Sequence, residues 1–461
     1  MSNFKSFWPV GLACVLSACS LIPTYERPIA PIDSRWPNQC ACGNDSEERS
    51  TDKGWQGFFT DKTLHELIAT ALIHNRDWRV ATLNVEQARA QLGIRRADLF
   101  PGINAALTGS RTPDNDGAIK SAYAGGLTVT AYELDFFGRV ASLKEQALAQ
   151  YLASQEGSTT ARISLITTVA QAWLNLLADE DLLAISQQTL VSRQDSLKLM
   201  ELKLQNGAAS ELEAQTAQTL LQSARVTVAS QQRQRLQDEN ALVLLLGQSL
   251  PETARAALTK GQLDTMQFAE LPVGLPSEVL TRRPDIRQAE QLLIASNANI
   301  GAARAAFFPR ISLTAGVGSA SSELSQLFKD GSWGWTLAPQ LLLPIFDAGR
   351  NQANLDMANT SKNIAVAQYE KAIQTAFREV ADALAGRETL AQQLQASEAL
   401  LQSESKRSHL TQLRFDHGAS SLLDSLDAQR SLFAAQQSLI QTRLAVLQNK
   451  IMFFKVLGGG V

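Results

Sequence analysis

The chain is poor in several things, and each shortage closes a class of answers. Four cysteines in 461 residues cannot make a disulfide scaffold. Cys14 falls in the N-terminal leader and Cys19 directly follows it, which leaves only Cys40 and Cys42 in the rest of the chain. A bond across Cys-Ala-Cys would close a tight, strained ring, and no further ligands for a tetrahedral metal site stand nearby. The histidines His65, His74, His409 and His417 have neither H-E-x-x-H nor H-x-x-E-H spacing. There is no G-x-S-x-G, and the glycine-rich GVGSAS over 316–321 lacks a P-loop lysine. The expectation is therefore no enzyme, no cofactor and no metal. A net charge of −3 supplies no basic field, so no nucleic-acid partner is expected. Charged residues at 19% and aromatics at 6% suit long helices wetted on more than one side better than one thick core. No apolar run reaches the roughly 20 residues of a membrane helix.

What the N-terminus does carry is an address. Lys5 precedes the short apolar stretch Phe7–Leu16, which ends in Leu16-Ser17-Ala18-Cys19. A charged start, an apolar middle and small residues before a break describe a secretory signal over 1–18. The L-S-A-C ending resembles the bacterial lipobox, which implies cleavage before Cys19 and lipid on it. Ser20 follows, where an Asp would resemble an inner-membrane retention signal. Pro23, Pro28, Pro31 and Pro37 keep the arm 19–60 from being regular helix.

Proline then vanishes twice, between 114 and 250 and again from 345 to the end. Glycine is nearly absent too: only Gly157 within 139–206 and only Gly386 within 350–417. Each stretch predicts one continuous helix about 100 Å long at ~1.5 Å per residue. Without a continuous apolar run, both read as coiled-coil-like. The two stretches are also related. GAASELEAQTAQ over 207–218 and GASSLLDSLDAQ over 418–429 stand 211 positions apart, as do Gly138-Arg139 and Gly349-Arg350, and Leu246-Gly247 and Leu457-Gly458. Upstream, Phe100-Pro101 and Phe308-Pro309 stand 208 apart. The chain reads as an internal duplication. The first repeat is 61–247, with strands about 102–135 and a helical hairpin over 139–247. A linker follows over 248–284. The second repeat is 285–461, with strands about 310–345 and a hairpin over 350–457. The hairpins turn at Asn206-Gly207 and His417-Gly418, where glycine suits the left-handed residue that ends a helix.

Between the helices the period drops to two. ALTGSRT, LTVTAYEL, ISLTAGVG and WGWTLAPQLLL each alternate. Such strands have the length that crosses a membrane at a tilt, and Trp333 and Trp335 suit an interfacial aromatic girdle. Four strands cannot close a barrel, since the smallest have about eight, and an open edge in lipid leaves backbone groups unpaired. Several chains must then share one barrel, and three would supply twelve strands.

The lipobox Cys19, the repeated strand-pair-plus-hairpin, and the stretches YELDFFGR, LLPIFDAGR, FFPRISL, RRPDIRQAE and GASSLLDSLDAQRSLFAAQQ together resemble the outer membrane factors. These are the TolC-like exit ducts, and the likeness is to the OprM-like lipoprotein branch serving resistance-nodulation-division efflux pumps. The resemblance implies a mainly α fold with a membrane β-barrel. It implies a trimer with a shared 12-stranded barrel in the outer membrane and an α-barrel in the periplasm. The function implied is a passive exit duct for small molecules such as drugs, working with a periplasmic adaptor and an inner-membrane transporter. Competing readings are a duct for peptide, protein or metal export, and a non-conducting lipid-anchored periplasmic coiled-coil scaffold.

Residue roles follow from the same resemblance. Gly207, Ala208, Ala209, Ser210 and Gly418, Ala419, Ser420, Ser421 match the tips that meet the adaptor. Leu423, Asp424, Asp427 and Arg430 match the periplasmic gate, and Glu213 is the first-repeat counterpart of Asp424. The TolC-like lock, which uses a Tyr and an Arg just before this stretch, cannot be copied, because Phe415 and Ser420 stand there. In a threefold tube Asp424 and Asp427 become rings of like charge, which repel unless Arg430, cations or protons counter them. Taken alone, the same residues read as an exposed Asp–Arg helix pair.

Overall fold

The computed structural model describes residues 20–33, 36, 54–259, 263–270, 280 and 283–459. Cys19, Cys40 and Cys42 lie outside the described residues. In chain order the elements are α1 (Trp55–Phe58), α2 (Lys62–His74), α3 (Arg76–Ala97), β1 (Ile103–Pro113), β2 (Ile119–Leu134), α4 (Arg139–Gln205), α5 (Glu211–Leu246) and α6 (Glu252–Leu258). After these come α7 (Pro284–Ala305), β3 (Arg310–Ser321), β4 (Trp333–Leu342), α8 (Arg350–Asp416) and α9 (Leu422–Val456). The two stretches without proline are the two 67-residue helices α4 and α8. Gly157 and Gly386 interrupt neither. Each is a close-approach point: a Cβ on Gly157 would stand under 3.0 Å from the Gln288 side chain, and one on Gly386 would do the same to Asn449. Among the described residues no helix is long and apolar enough to cross a membrane.

The chain divides into two compact units: one of 1–30, 83–157 and 285–372, the other of 31–82, 158–284 and 373–461. The second unit holds the main core. Phe58 and Phe454 stack at 4.6 Å, and Phe59 meets Phe268 edge-on at 5.5 Å. Leu64, Leu67 and Ile68 of α2, Trp173 of α4, Leu242 and Leu246 of α5 and Ile451 of α9 close around them, all buried. Each such aliphatic side chain contributes about 1.5–3 kcal/mol by leaving water. Described residues of the segment 248–284 join this core: Leu250, Ala254, Leu258, Leu263 and Met266 are buried in it. Asn75 ties the pieces together: its Nδ2 donates to the Leu245 carbonyl at 2.9 Å, and its Oδ1 caps α3 by accepting from the Trp78 N–H at 2.8 Å.

The first unit holds an antiparallel sheet in the order β1-β2-β3-β4. Residues directly opposite share a face, so the register sorts the side chains. Ile103, Leu107, Leu127, Val317, Leu337 and Leu341 lie on one face, with Trp333 and Trp335 at one end of it. Trp335 is 75% exposed, and the rest of this apolar set is exposed with it. The other face carries small and polar residues such as Ala106, Thr108, Ala124, Gly126, Gly318 and Thr336. The unbroken alternation expected over LTVTAYEL is corrected by a bulge. The register shifts between Val129 and Tyr132, where Ala131 has φ 50°. An extra residue there keeps Tyr132 and Leu134 on the apolar face with Leu313 and Ile311.

The N-terminal strap lies along α7. Asn297 Nδ2 donates to the Pro23 carbonyl at 2.7 Å, Arg27 Nε to Glu290 Oε1 at 2.7 Å, and Arg304 Nη1 to the Leu21 carbonyl at 3.4 Å. A Cβ on Gly301 would stand under 3.0 Å from Ile22 and Ser142, so glycine makes room for the strap.

Candidate functional site

The two hairpin turns are built alike. Gly207 and Gly418 have φ 71° and 72°, a conformation that costs glycine little. Ala208 N–H reaches the Lys203 carbonyl at 2.7 Å and Gly207 N–H the Leu204 carbonyl at 3.0 Å. Ala419 N–H reaches Arg414 at 2.8 Å and Gly418 N–H reaches Phe415 at 3.0 Å. Both turns are Schellman motifs, which satisfy the last carbonyls of α4 and α8. The following helices start with matching capping boxes. Ser210 Oγ accepts from the Glu213 N–H at 3.3 Å, while Glu213 Oε2 accepts from the Ser210 N–H at 2.7 Å. Ser421 Oγ accepts from the Asp424 N–H at 3.1 Å, and Asp424 Oδ2 accepts from the Ser421 N–H at 3.1 Å and the Ser420 hydroxyl at 3.0 Å.

These bonds separate the two aspartates. Hydrogen bonds from the Ser421 hydroxyl, the Ser421 backbone and Ser420 hold the Asp424 carboxyl below the usual range. Glu213 is held low in the same way by the Ser210 backbone and hydroxyl. Both carboxylates are engaged at helix starts, a role that does not depend on a pore. Asp427 is placed otherwise. Its Oδ1 is 2.5 Å from Arg430 Nη2, and its Oδ2 is 3.7 Å from Arg407 Nη1 on α8. Arg407 also reaches Glu404 at 2.8 Å. Thr216 and Thr219 hold the corresponding places in the first hairpin, and their hydroxyls bond back to Leu212 and Gln215. Among the described residues, only the second hairpin carries the charged link.

A polar chain crosses between the hairpins nearby. Arg193 of α4 is buried and donates to Gln429 Oε1 of α9 at 2.9 Å. Gln412 Oε1 of α8 accepts from Gln429 at 3.3 Å and from the Ser425 hydroxyl at 2.8 Å. Burial, and after it the charge of Arg430, pushes the Arg193 guanidinium below its ordinary range. A buried cation that donates to a neutral amide costs stability. Beside it Met200, Ala217, Leu422 and Leu426 form a small apolar cluster, and Lys203 Nζ lies 4.5 Å from the Phe415 ring centre. Leu423 is 71% exposed at the tip. Its counterpart Leu212 is 76% exposed, which the sequence reading did not single out. Arg407, Arg193 and Gln429 were also missed. Two of them lie on other helices, so no spacing within 418–430 points to them. Exposed ion pairs such as Asp427–Arg430 contribute up to about 1 kcal/mol, a strength that contact with a partner is able to reverse.

The outer membrane efflux protein family model matches residues 67–248 and 275–459. The chain belongs to that family. The toluene efflux pump outer membrane protein TtgC of Pseudomonas putida is 46% identical over 457 residues, covering 97% of this chain and 94% of that relative. The antibiotic efflux pump outer membrane protein ArpC of Pseudomonas putida has the same identity and coverage. Among solved structures, the open state of the Neisseria gonorrhoeae MtrE outer membrane channel is 39% identical, with a TM-score of 0.85 over 96% of this chain and 98% of that one. The mainly helical fold with its small sheet is thus that of the TolC-like outer membrane channels. This family member is an outer-membrane exit duct of an efflux system.

Proposed function

We propose that three copies of the chain close one 12-stranded barrel in the outer membrane and surround one helical tunnel in the periplasm. The observation that carries this is the four-stranded sheet, apolar and exposed on one face, small and polar on the other, with both edges unpaired. Lipid covers the apolar face, with Trp333 and Trp335 at its interface, and water fills the space beside the other. The duplicated halves each give two strands and one long hairpin to the assembly. The protein binds no cofactor and performs no chemistry. Its cargo is small organic molecules, as the toluene and antibiotic pumps of its relatives suggest.

The hairpin tips at 207–210 and 418–421 receive a periplasmic adaptor, which couples the duct to an inner-membrane transporter. The tips suit such contact because glycine, alanine and serine leave the backbone open, with Leu212 and Leu423 as exposed apolar anchors. The gate is the link Arg407–Asp427–Arg430, tripled around the axis, with Leu423 beside it. The capping bonds of Asp424 and Glu213 hold the tip in shape. An adaptor opens the tunnel by binding the open tips better than the closed ones. Expression in a strain that has a matching adaptor and transporter but no exit duct tests the function: toluene and antibiotic tolerance should return. Outer-membrane insertion with no gain of tolerance would contradict it.

Cys19 carries the lipid anchor. Support comes from the strap, which runs along α7 from Glu290 toward Arg304, just before β3 begins at Arg310. Leu21 is thus held at the end of α7 from which β3 starts. Cys19→Ser should remove the acyl mass from the mature N-terminal peptide while leaving heat-resistant trimer in the outer membrane. An unacylated N-terminus in the unchanged protein would refute the anchor.

A further inference from the structure

Among the described residues the sheet ends in two free edges, β1 with eleven residues and β4 with ten. Each strand is antiparallel to the next, so β1 and β4 run in opposite directions. In the shared-barrel reading, on which this inference rests, β4 of one copy must therefore lie antiparallel to β1 of another, repeated head to tail until the ring closes.

Two constraints fix how they meet. A slip of one residue would turn every side chain to the wrong face. The apolar face of β1 carries Ile103, Ala105 and Leu107, and that of β4 carries Trp335, Leu337 and Leu341. Only registers that set these opposite one another keep the lipid face continuous. Among them, one alone pairs all ten β4 residues with β1, the one with Trp333 opposite Pro113. A shift of two residues either way leaves part of β4 unpaired.

We propose that copies of this chain join in that register, with Trp335 opposite Arg111 and Leu341 opposite Ala105. Two independent features agree. Arg111 is exposed, and this register sets its guanidinium beside the Trp335 indole, a cation–π arrangement. Continued past the other end of the strands, the register sets Phe346 opposite Phe100 and Ile345 opposite Pro101. Ile345 is 93% exposed, Phe346 89% and Phe100 71%, among the most exposed apolar side chains of the chain. The second copy thus covers side chains that this copy leaves bare.

Disulfide trapping tests the register in a Cys40→Ser, Cys42→Ser background. Directly opposite residues have Cα atoms about 4.5–5.5 Å apart, within disulfide reach, and a two-residue shift exceeds it. Ala105→Cys with Leu341→Cys should form covalent dimers and trimers on oxidation, resolved on a denaturing gel. Ala105→Cys with Pro339→Cys or with Leu343→Cys should react at least about tenfold more slowly. Assembly is checked before oxidation, and a pair that fails to assemble is replaced by Thr112→Cys with Gly334→Cys, which shares the register. If a shifted pair reacts fastest, the register is wrong while the shared barrel stands. If the unmutated chain runs as a monomer without heating, the shared barrel falls and the register with it.

Discussion

A chain carrying Gly126→Val is expected to yield no heat-resistant outer-membrane trimer. Gly126 and Gly318 lie directly opposite across β2 and β3. A Cβ on Gly126 would stand under 3.0 Å from the Val317 carbonyl oxygen, and one on Gly318 equally close to the Gly125 carbonyl oxygen. Backbone is the obstacle in both cases, so no rotamer change relieves it, and the two strands must part. This seam is the one that joins the strands of the first half to those of the second, so its loss divides the sheet into two hairpins. Isolated two-stranded hairpins are marginal even in water, and in lipid each adds unpaired edges. Gly334→Ala is the control, because nothing lies within 4 Å of a Cβ there. The readout is the trimer band on an unheated denaturing gel of outer membranes. A normal band from Gly126→Val would contradict the packing of this sheet.

The second large effect concerns a proton. Asp179 of α4 is buried, and its Oδ2 has no donor among the described groups. It faces Asp238 of α5, with Glu180 and Arg235 close by. Two carboxylates are both acceptors, so their contact requires a shared proton. Burial first, and then the bond and charge of Asp238, push the Asp179 carboxyl up to about 7. The unfolded chain holds that proton only below its ordinary value of 3.8. Between those values the folded state binds the extra proton, so stability falls as pH rises, by up to about 1.4 kcal/mol per pH unit. Below that window the stability is fully present, and above about pH 7 the loss is complete. Asp179→Asn supplies a donor to Asp238 at every pH. The thermal midpoint of the variant should therefore fall less steeply between about pH 5 and pH 7 than that of the unmutated protein. Parallel curves would show that the pair shares no proton.

Much of this architecture is written in the sequence because its causes are local. Proline's absence leaves α4 and α8 uninterrupted, and alternation marks the strands. The glycines that close both hairpins are visible as isolated exceptions in long helical stretches. The bulge at Ala131 was hidden, because one extra residue changes parity without changing composition. At the tip the sequence suggested a pair of equivalent acids. The structure divides them, with Asp424 capping α9 and Asp427 paired with two arginines. The spacing Ser-x-x-Asp at 421–424 and Ser-x-x-Glu at 210–213 is the local signal from which the caps could have been found. Arg407 and Arg193 could not be found that way, since their partners lie on other helices and only packing brings them close.

Single-channel conductance in a planar bilayer tests most directly whether the second hairpin closes the duct. The purified, unmutated protein should conduct weakly and be blocked by divalent cations. Asp424→Ala together with Asp427→Ala should raise the conductance several-fold and weaken the block, with Asp427→Ala alone giving most of the gain. Conductance and block unchanged in both variants would contradict a gate at this tip.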